Sequence, residues 1–181
     1  MHNQFDMKRA IFAGGSFWCT EAVFNRLKGV ENVKSGYTGG FIKNPAYREV
    51  CQGRTGHTEG IRLDYDESLI SYADLLEVFF ATHDPTTLNR QANDVGTQYR
   101  SAIFYTDDKQ FEIATRFIKS LEDAKIFENP IVSELKPLEV FYDAEDDHDS
   151  YYDLNRDQPY CTYLIDPKIK KLTTYFKTLL K

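Results

Sequence analysis

Apolar positions recur along this chain with two different periods, and the period switches several times. Residues 8–13 (KRAIFA) are a short apolar run that stops at Gly14-Gly15, which has the length and the ending of a buried strand. Over 17–27 apolar residues occupy most sides of a helix, so a glycine turn joins strand to helix. Val33, Ser35 and Tyr37 alternate before the turn Gly39-Gly40. Ile61, Leu63 and Tyr65 alternate with Arg62 and Asp64, as a half-buried strand does. Tyr72, Leu75, Leu76, Phe79 and Phe80 form one stripe of an amphipathic helix, with Ser71 and Asp74 as its capping pair. Residues 101–105 predict another strand. Asp107 and Asp108 then open a helix whose stripe is Phe111, Ala114, Ile118 and Leu121, the acids suiting its positive end. Residues 138–142 predict a further strand. Near the C-terminus Asp166 is placed to cap, and Pro167 to enter the first turn of, a helix bearing Ile169, Leu172, Phe176 and Leu179. Strands and helices interspersed in this way predict helices packed on a mixed sheet in a two-layer α/β sandwich. Periodicity does not give the strand order.

At 181 residues, with no repeat, low-complexity tract or linker, the chain reads as one domain over 1–181. A domain of that length buries roughly 70% of its unfolded surface. Hydrophobic residues make up 41%, and aromatics 14% with twelve Tyr and thirteen Phe, which leaves rings to line a site. The net charge of -6 argues against a nucleic-acid binder. No run approaches the ~20 apolar residues of a membrane span. The opening Met1-His2-Asn3-Gln4-Phe5-Asp6 lacks the basic and apolar segments of a leader. A cytoplasmic protein without a membrane partner is expected. Cys19, Cys51 and Cys161 are odd in number and irregular in spacing, a poor disulfide framework, and read as free thiols.

Gly14-Gly15-Ser16-Phe17-Trp18-Cys19 sits where strand passes into helix, so backbone N–H groups converge near position 16 and favour an anion there. For a serine the plain role is an N-cap. A hydrolase using Ser16 as nucleophile would share the strand-turn-Ser-helix shape. Its G-x-S-x-G elbow is met by Gly14 but broken by bulky Trp18.

Taken whole, AGGSFWCTEAVF resembles the G-C-F-W signature of A-type peptide methionine sulfoxide reductases, with serine in place of the nucleophilic cysteine. Further segments resemble that family in order and spacing. They are Gly36-Tyr37-Thr38-Gly39-Gly40, Asn44-Pro45-Ala46-Tyr47-Arg48-Glu49-Val50, Thr55-Gly56-His57-Thr58-Glu59, His83-Asp84-Pro85, the stretch from Asn93 to Ser101, and Ala144-Glu145-Asp146-Asp147-His148. The resemblance covers nearly the whole chain. It implies a single catalytic domain of α+β class with a ferredoxin-like core, and reduction of methionine S-sulfoxide, peptide-bound or free, to methionine.

Sulfoxide sulfur becomes electrophilic once its oxygen is protonated or firmly hydrogen-bonded, and the attacking group must be a soft anion. A thiolate is one, and a helix N-terminus lowers a thiol's pKa from about 8.5, whereas an unassisted hydroxyl stays protonated. By resemblance, position 16 is the nucleophile's place and Glu59 is the acid that gives the oxygen its proton, a role that needs a pKa raised by burial. Tyr47 and Tyr99 match hydroxyls that hydrogen-bond the same oxygen. Phe17 and Trp18 match the wall that receives the substrate methyl and so selects one epimer. Asp94, with His148 and Tyr151, matches residues that hold the substrate. The run from Glu145 to Asp149 lacks the spacing and glycine of a calcium loop, so no metal is expected.

Turnover would leave a sulfenic acid at position 16 that a second cysteine condenses with, before thioredoxin or another dithiol resets the enzyme. No bound cofactor is implied. Cys161 is the favoured resolving cysteine, because family members carry theirs in a mobile C-terminal segment. Cys19, three residues from position 16, is the alternative. Cys51 is expected to be a buried structural thiol. The simplest account of a full supporting set around Ser16 is a cysteine-to-serine replacement that binds substrate without turning it over. A natural pseudoenzyme acting as an oxidised-methionine binding module, or replacement of a selenocysteine, would give the same letters.

Overall fold

The computed structural model describes residues 6–181. The reading of the opening stretch as free of a leader falls on residues 1–5 and so lies outside the described residues. In chain order the elements are β1 (Met7–Ala13), α1 (Phe17–Phe24), β2 (Val30–Thr38), α2 (Tyr47–Cys51), β3 (Thr58–Asp66), α3 (Tyr72–Ala81), β4 (Arg90–Gln91), β5 (Asp94–Val95), β6 (Ala102–Tyr105), α4 (Asp108–Asp123), β7 (Glu134–Pro137), β8 (Phe141–Asp143), α5 (Tyr151–Leu154) and α6 (Asp166–Tyr175).

Six strands form one sheet in the order β7-β6-β1-β3-β2-β8, with β4 and β5 paired apart from it. Neighbours in the large sheet run antiparallel except β6 and β7, so the sheet is mixed. Within it, β1-α1-β2-β3-α3-β6 arranged as β6-β1-β3-β2 is the ferredoxin-like split βαβ pattern. Phe12 of β1 stacks on Phe24 of α1 at 5.2 Å and on Tyr72 and Phe79 of α3 at 6.0 and 5.0 Å, which fixes both helices to one face. Seven of the eight side chains of α1 are buried, as expected of a helix apolar on most sides. Ser71 caps α3 as its sequence predicts, its Oγ accepting from Asp74 N–H at 3.0 Å while Asp74 Oδ2 accepts from Ser71 N–H at 3.1 Å.

The strand expected over 138–142 is not one strand. β7 ends at Pro137, on one edge of the sheet, and β8 starts at Phe141, on the other. Flat, six strands at a spacing of ~4.8 Å would put those edges roughly 24 Å apart, whereas four residues reach about 14 Å at most. The sheet is therefore curled, and the apolar residues of this segment serve its second face. Leu138 and Phe141 pack on Ile11, Ala13, Ala102 and Phe104.

Other boundaries move for local reasons. α1 stops at Phe24, and the buried Leu27 instead bridges to Leu180. Asp166 is the first residue of α6 and not its cap, because a π-helical turn over Cys161–Ile165 runs straight into that helix. α6 ends at Tyr175, leaving Phe176 as its C-cap and Leu179 in a 3₁₀ turn. On α4 the buried face centres on Gln110 and Ala114, with Phe117 stacked on Phe80 at 5.8 Å, while Phe111 stays 43% exposed at the edge of the stripe. Among the described residues no helix is long and apolar enough to cross a membrane.

Phe12→Ala removes the ring on which three others stack and is expected to lower unfolding free energy by about 3–5 kcal/mol. Ser71→Ala, which loses only a cap, is expected to cost about 1 kcal/mol. Urea denaturation of the two variants beside the parent checks both the values and their order.

Candidate active site

The glycine turn between β1 and α1 sets the site. Gly15 has φ +83°, and a Cβ there would come within 2.7 Å of Gln91 Cγ, so both backbone and space call for glycine. The turn delivers Ser16 to the N-cap of α1, 6% exposed, with its Oγ accepting from Trp18 N–H at 3.3 Å. Among the described residues no histidine or carboxylate hydrogen-bonds that hydroxyl. A hydrolytic Ser16 would therefore lack its base.

The next free N–H of the helix, that of Phe17, donates to Glu59 Oε1 at 3.1 Å. Glu59 lies on β3 opposite Tyr37 of β2 and is 1% exposed. Burial pushes its carboxyl from the ordinary 4.5 up to about 8, and the charge of Asp94 adds to the rise, against the Phe17 N–H. Oε1 accepts a hydrogen bond, so Oε2 carries the proton of the neutral acid. Oε2 is buried without a partner among the described residues. The result is a proton donor with nothing to donate to.

Tyr47 opens α2 and Tyr99 closes a 3₁₀ turn over Thr97–Tyr99, both half-buried. Burial raises both phenols far above their ordinary value, and each also feels the charge of Glu59, so their hydroxyls are neutral donors beside the acid. Tyr47 is held by Glu145, whose Oε2 accepts from Tyr47 N–H at 3.0 Å and whose Oε1 accepts from Tyr37 Oη at 2.9 Å.

Around these polar groups stands an aromatic wall. Phe17, fully buried, lies 6.2 Å from Tyr47 and 5.1 Å from His148, and the Tyr47 and His148 rings are 4.4 Å apart. Trp18 stacks on Tyr151 at 3.7 Å with 9° between planes, and its Nε1 donates to His148 Nδ1 at 3.1 Å. His148 and Tyr151, expected beside Asp94 as residues that hold the substrate, both lie against Trp18. Asp94 sits on the small β4-β5 hairpin, where its Oδ2 accepts from Tyr160 Oη at 2.7 Å. Tyr160 reaches in turn to Cys19 Sγ at 3.6 Å.

Cysteine positions differ from expectation in two respects. Cys51 is exposed, not buried. It ends α2, and a five-residue helix cannot turn every side inward. Cys161 is fully buried in the π-helical turn, in one apolar cluster with Cys19, Ala22, Tyr152 and Ile165. The acidic run is engaged locally, with Lys34 Nζ 3.1 Å from Asp146 and 3.0 Å from Asp149. Among the described residues no group of three or more His, Cys, Asp or Glu gathers as a ligand set.

Sequence reasoning missed Tyr160, Glu145 and Glu21. Glu21 is buried within α1 and accepts from Ser35 Oγ at 3.1 Å and Ser150 N–H at 2.7 Å, tying helix, sheet and the loop before α5. Its signal was legible, since it is an acid on a helix with no polar side. Tyr160 and Glu145 carried no such mark.

A dry acid, two neutral phenols and an aromatic wall facing a helix N-terminus define a site for a small uncharged group bearing one strong acceptor oxygen. Comparison with known proteins identifies the group of proteins that shares it. The sequence model for peptide methionine sulfoxide reductase matches residues 8–179. Peptide methionine sulfoxide reductase MsrA of Chromobacterium violaceum is 53% identical over 175 residues, 97% of this chain and 99% of that protein. The protein of the same name from Saccharolobus solfataricus is 51% identical over 175 residues, covering 97% and 98%. Among solved structures, Mxr1 from Saccharomyces cerevisiae in reduced form superposes with TM-score 0.79 at 30% identity, covering 89% of this chain and 92% of that one. Methionine sulfoxide reductase A of Corynebacterium diphtheriae gives 0.75 at 33%, covering 86% and 78%. The chain belongs to the peptide methionine sulfoxide reductase family, and its relatives are of the MsrA type.

The Glu59 shift has a measurable sign. A folded-state value above the ordinary one means the fold favours the neutral acid. That contribution is complete below about 4.5, is lost as pH rises toward about 8, and levels off above it. The loss amounts to about 1.4 kcal/mol per pH unit. Glu59→Gln, which cannot ionise, is expected to gain stability relative to the parent between pH 5 and 7.5. Urea midpoints that run parallel with pH would show that Glu59 is not held neutral.

Proposed function

We propose that the site binds methionine S-sulfoxide, free or in peptides, and that with a thiol at position 16 it reduces it. The observation that carries this reading is the unpaired Oε2 of neutral, buried Glu59 beside the N-terminus of α1. Sulfoxide oxygen is a strong acceptor and supplies the missing partner. Tyr47 and Tyr99 add neutral hydrogen bonds, which make the sulfur electrophilic without competing for the proton. Phe17 and Trp18 take the methyl group, and a fixed wall opposite fixed donors admits one epimer. Asp94, His148 and Tyr151 border the place where the flanking substrate lies. Residues 1–181 act as one catalytic domain.

A thiolate at position 16, favoured by the helix N-terminus, attacks sulfur as Glu59 gives its proton to oxygen. The hydroxyl then passes from the substrate sulfur to the sulfur at position 16 as the bond between the two sulfurs breaks, so methionine leaves and position 16 is left as a sulfenic acid. A second cysteine, Cys19 or Cys161, then forms a disulfide that an external dithiol such as thioredoxin reduces. The chemistry needs no bound cofactor, and a reducing cytoplasm suits three unpaired cysteines. Ser16 cannot supply the anion. Its hydroxyl is engaged as a cap, which favours a chain that holds oxidised methionine without reducing it.

With dithiothreitol as reductant, the Ser16→Cys variant is expected to turn over a peptide carrying methionine S-sulfoxide and to ignore the R epimer, while the parent binds the same peptide without reducing it. Adding Glu59→Gln to the active variant is expected to lower kcat about 10²–10⁴-fold by removing the general acid. Absence of both binding and reduction in the Ser16→Cys variant would refute the reading.

A further inference from the structure

We propose that Lys168 is a positioning residue for the second half of the cycle, holding Cys19 as the thiol that closes on position 16. The inference rests on the reading of position 16 as the nucleophile's place. It assigns Cys161 no part in that closure.

Cys19 lies one turn beyond the N-cap, its N–H donating to Ser16 O at 3.1 Å. Ser16, Cys19, Asp94, Tyr160 and Lys168 line one partly open pocket of about 30 Å³. A smaller void of about 10 Å³ is lined by Cys19, Thr82, His83 and Lys168. The lysine therefore borders both spaces that the thiol borders. Its Nζ donates to the carbonyl of Thr82, the C-cap of α3, where the helix dipole is negative. Among the described residues no carboxylate lies within ion-pair distance of it. A largely buried ammonium compensated by one carbonyl is a costly arrangement unless an anion forms nearby.

The anion available is the Cys19 thiolate. Tyr160 Oη lies 3.6 Å from Cys19 Sγ while donating to Asp94 at 2.7 Å, so the help it gives a thiolate is shared with that carboxylate and is smaller than that of Lys168. Burial pushes the Cys19 thiol up to about 11, Asp94 and Glu59 push the same way, and Lys168 is the cation that pulls it down. Lys168 itself is lowered by burial and by Lys171, while Cys19 and Asp84 support its charge. His83 is held neutral in the same void by its own burial. Cys161 has no such help. It is fully buried in the π-helical turn, with Asp166 raising its thiol further.

In the closing step the Cys19 thiol gives up its proton and its sulfur attacks the sulfenic sulfur at position 16. The S–S bond forms, the S–O bond breaks, and hydroxide leaves with that proton as water. Lys168 stays protonated throughout and stabilises the thiolate before attack. A dithiol then reduces the disulfide, returning both thiols and becoming a disulfide itself.

The test uses the Ser16→Cys variant oxidised with one equivalent of hydrogen peroxide, which makes the sulfenic acid without methionine sulfoxide and so separates this inference from the substrate reading. Peptide mapping is expected to find position 16 joined to Cys19, with the bond lost in Cys19→Ser and kept in Cys161→Ser. Lys168→Met is expected to slow closure at pH 7.5 by about tenfold or more, as for a thiol shifted one pH unit. The lost rate returns as pH is raised to 9, Lys168→Arg retains most of it, and sulfenic acid trapped by dimedone accumulates meanwhile. In the unaltered Ser16 chain, alkylation of Cys19 followed by mass spectrometry is expected to shift to higher pH on Lys168→Met. A disulfide to Cys161, or closure and alkylation profiles indifferent to Lys168, would overturn the proposal.

Discussion

A single hydrogen bond, from the N–H of Phe17 to buried Glu59, joins the start of α1 to the start of β3. It satisfies a helix N–H that would otherwise be unpaired, and it anchors one oxygen of the acid while leaving the other free. The acid can be dry because the helix is dry. Seven of its eight side chains are enclosed, so Ser16 and Glu59 share one low-dielectric site. Moving the turn at Gly15 by one residue would separate them.

The curled sheet makes that enclosure possible. Short passage from β7 to β8 brings the far edges together and carries the chain to Glu145, which fastens Tyr37 and Tyr47 against Phe17. From there the 3₁₀ turn at Asp146–His148 places an imidazole under Trp18 and against Tyr47. The aromatic wall is thus held by hydrogen bonds at its rim as well as by stacking, which fixes the ring positions. Glu21 does the same for the opposite end, joining α1 to β2 and to the residue before α5.

Buried charge is distributed with a consistent logic. Glu59 and His83 are held in their neutral forms, Tyr47, Tyr99 and Tyr160 keep their protons, and Lys168 is the buried group best placed to answer a developing negative charge near Cys19. Glu59 meets the N-terminus of α1, and Lys168 lies on α6 and borders Cys19.

What the sequence alone determined was local. The stripe of α3 and its Ser71 cap, the glycine turn before Ser16 and the alternation in β3 were all legible, because each depends on residues within a few positions of one another. So were the segments holding Ser16, Tyr47, Glu59, Asp94, Tyr99 and His148, whose order matched a family pattern. Tertiary structure decided the rest. Whether 138–142 pairs as a strand or crosses a face depends on where the sheet's edges lie. Whether Cys51 is buried depends on which way α2 turns, and whether Cys19 or Cys161 borders position 16 depends on how α6 docks. Proton affinity and burial are set by neighbours brought from far along the chain, such as Phe17 to Glu59 and Lys168 to Cys19, and local periodicity carries no record of them.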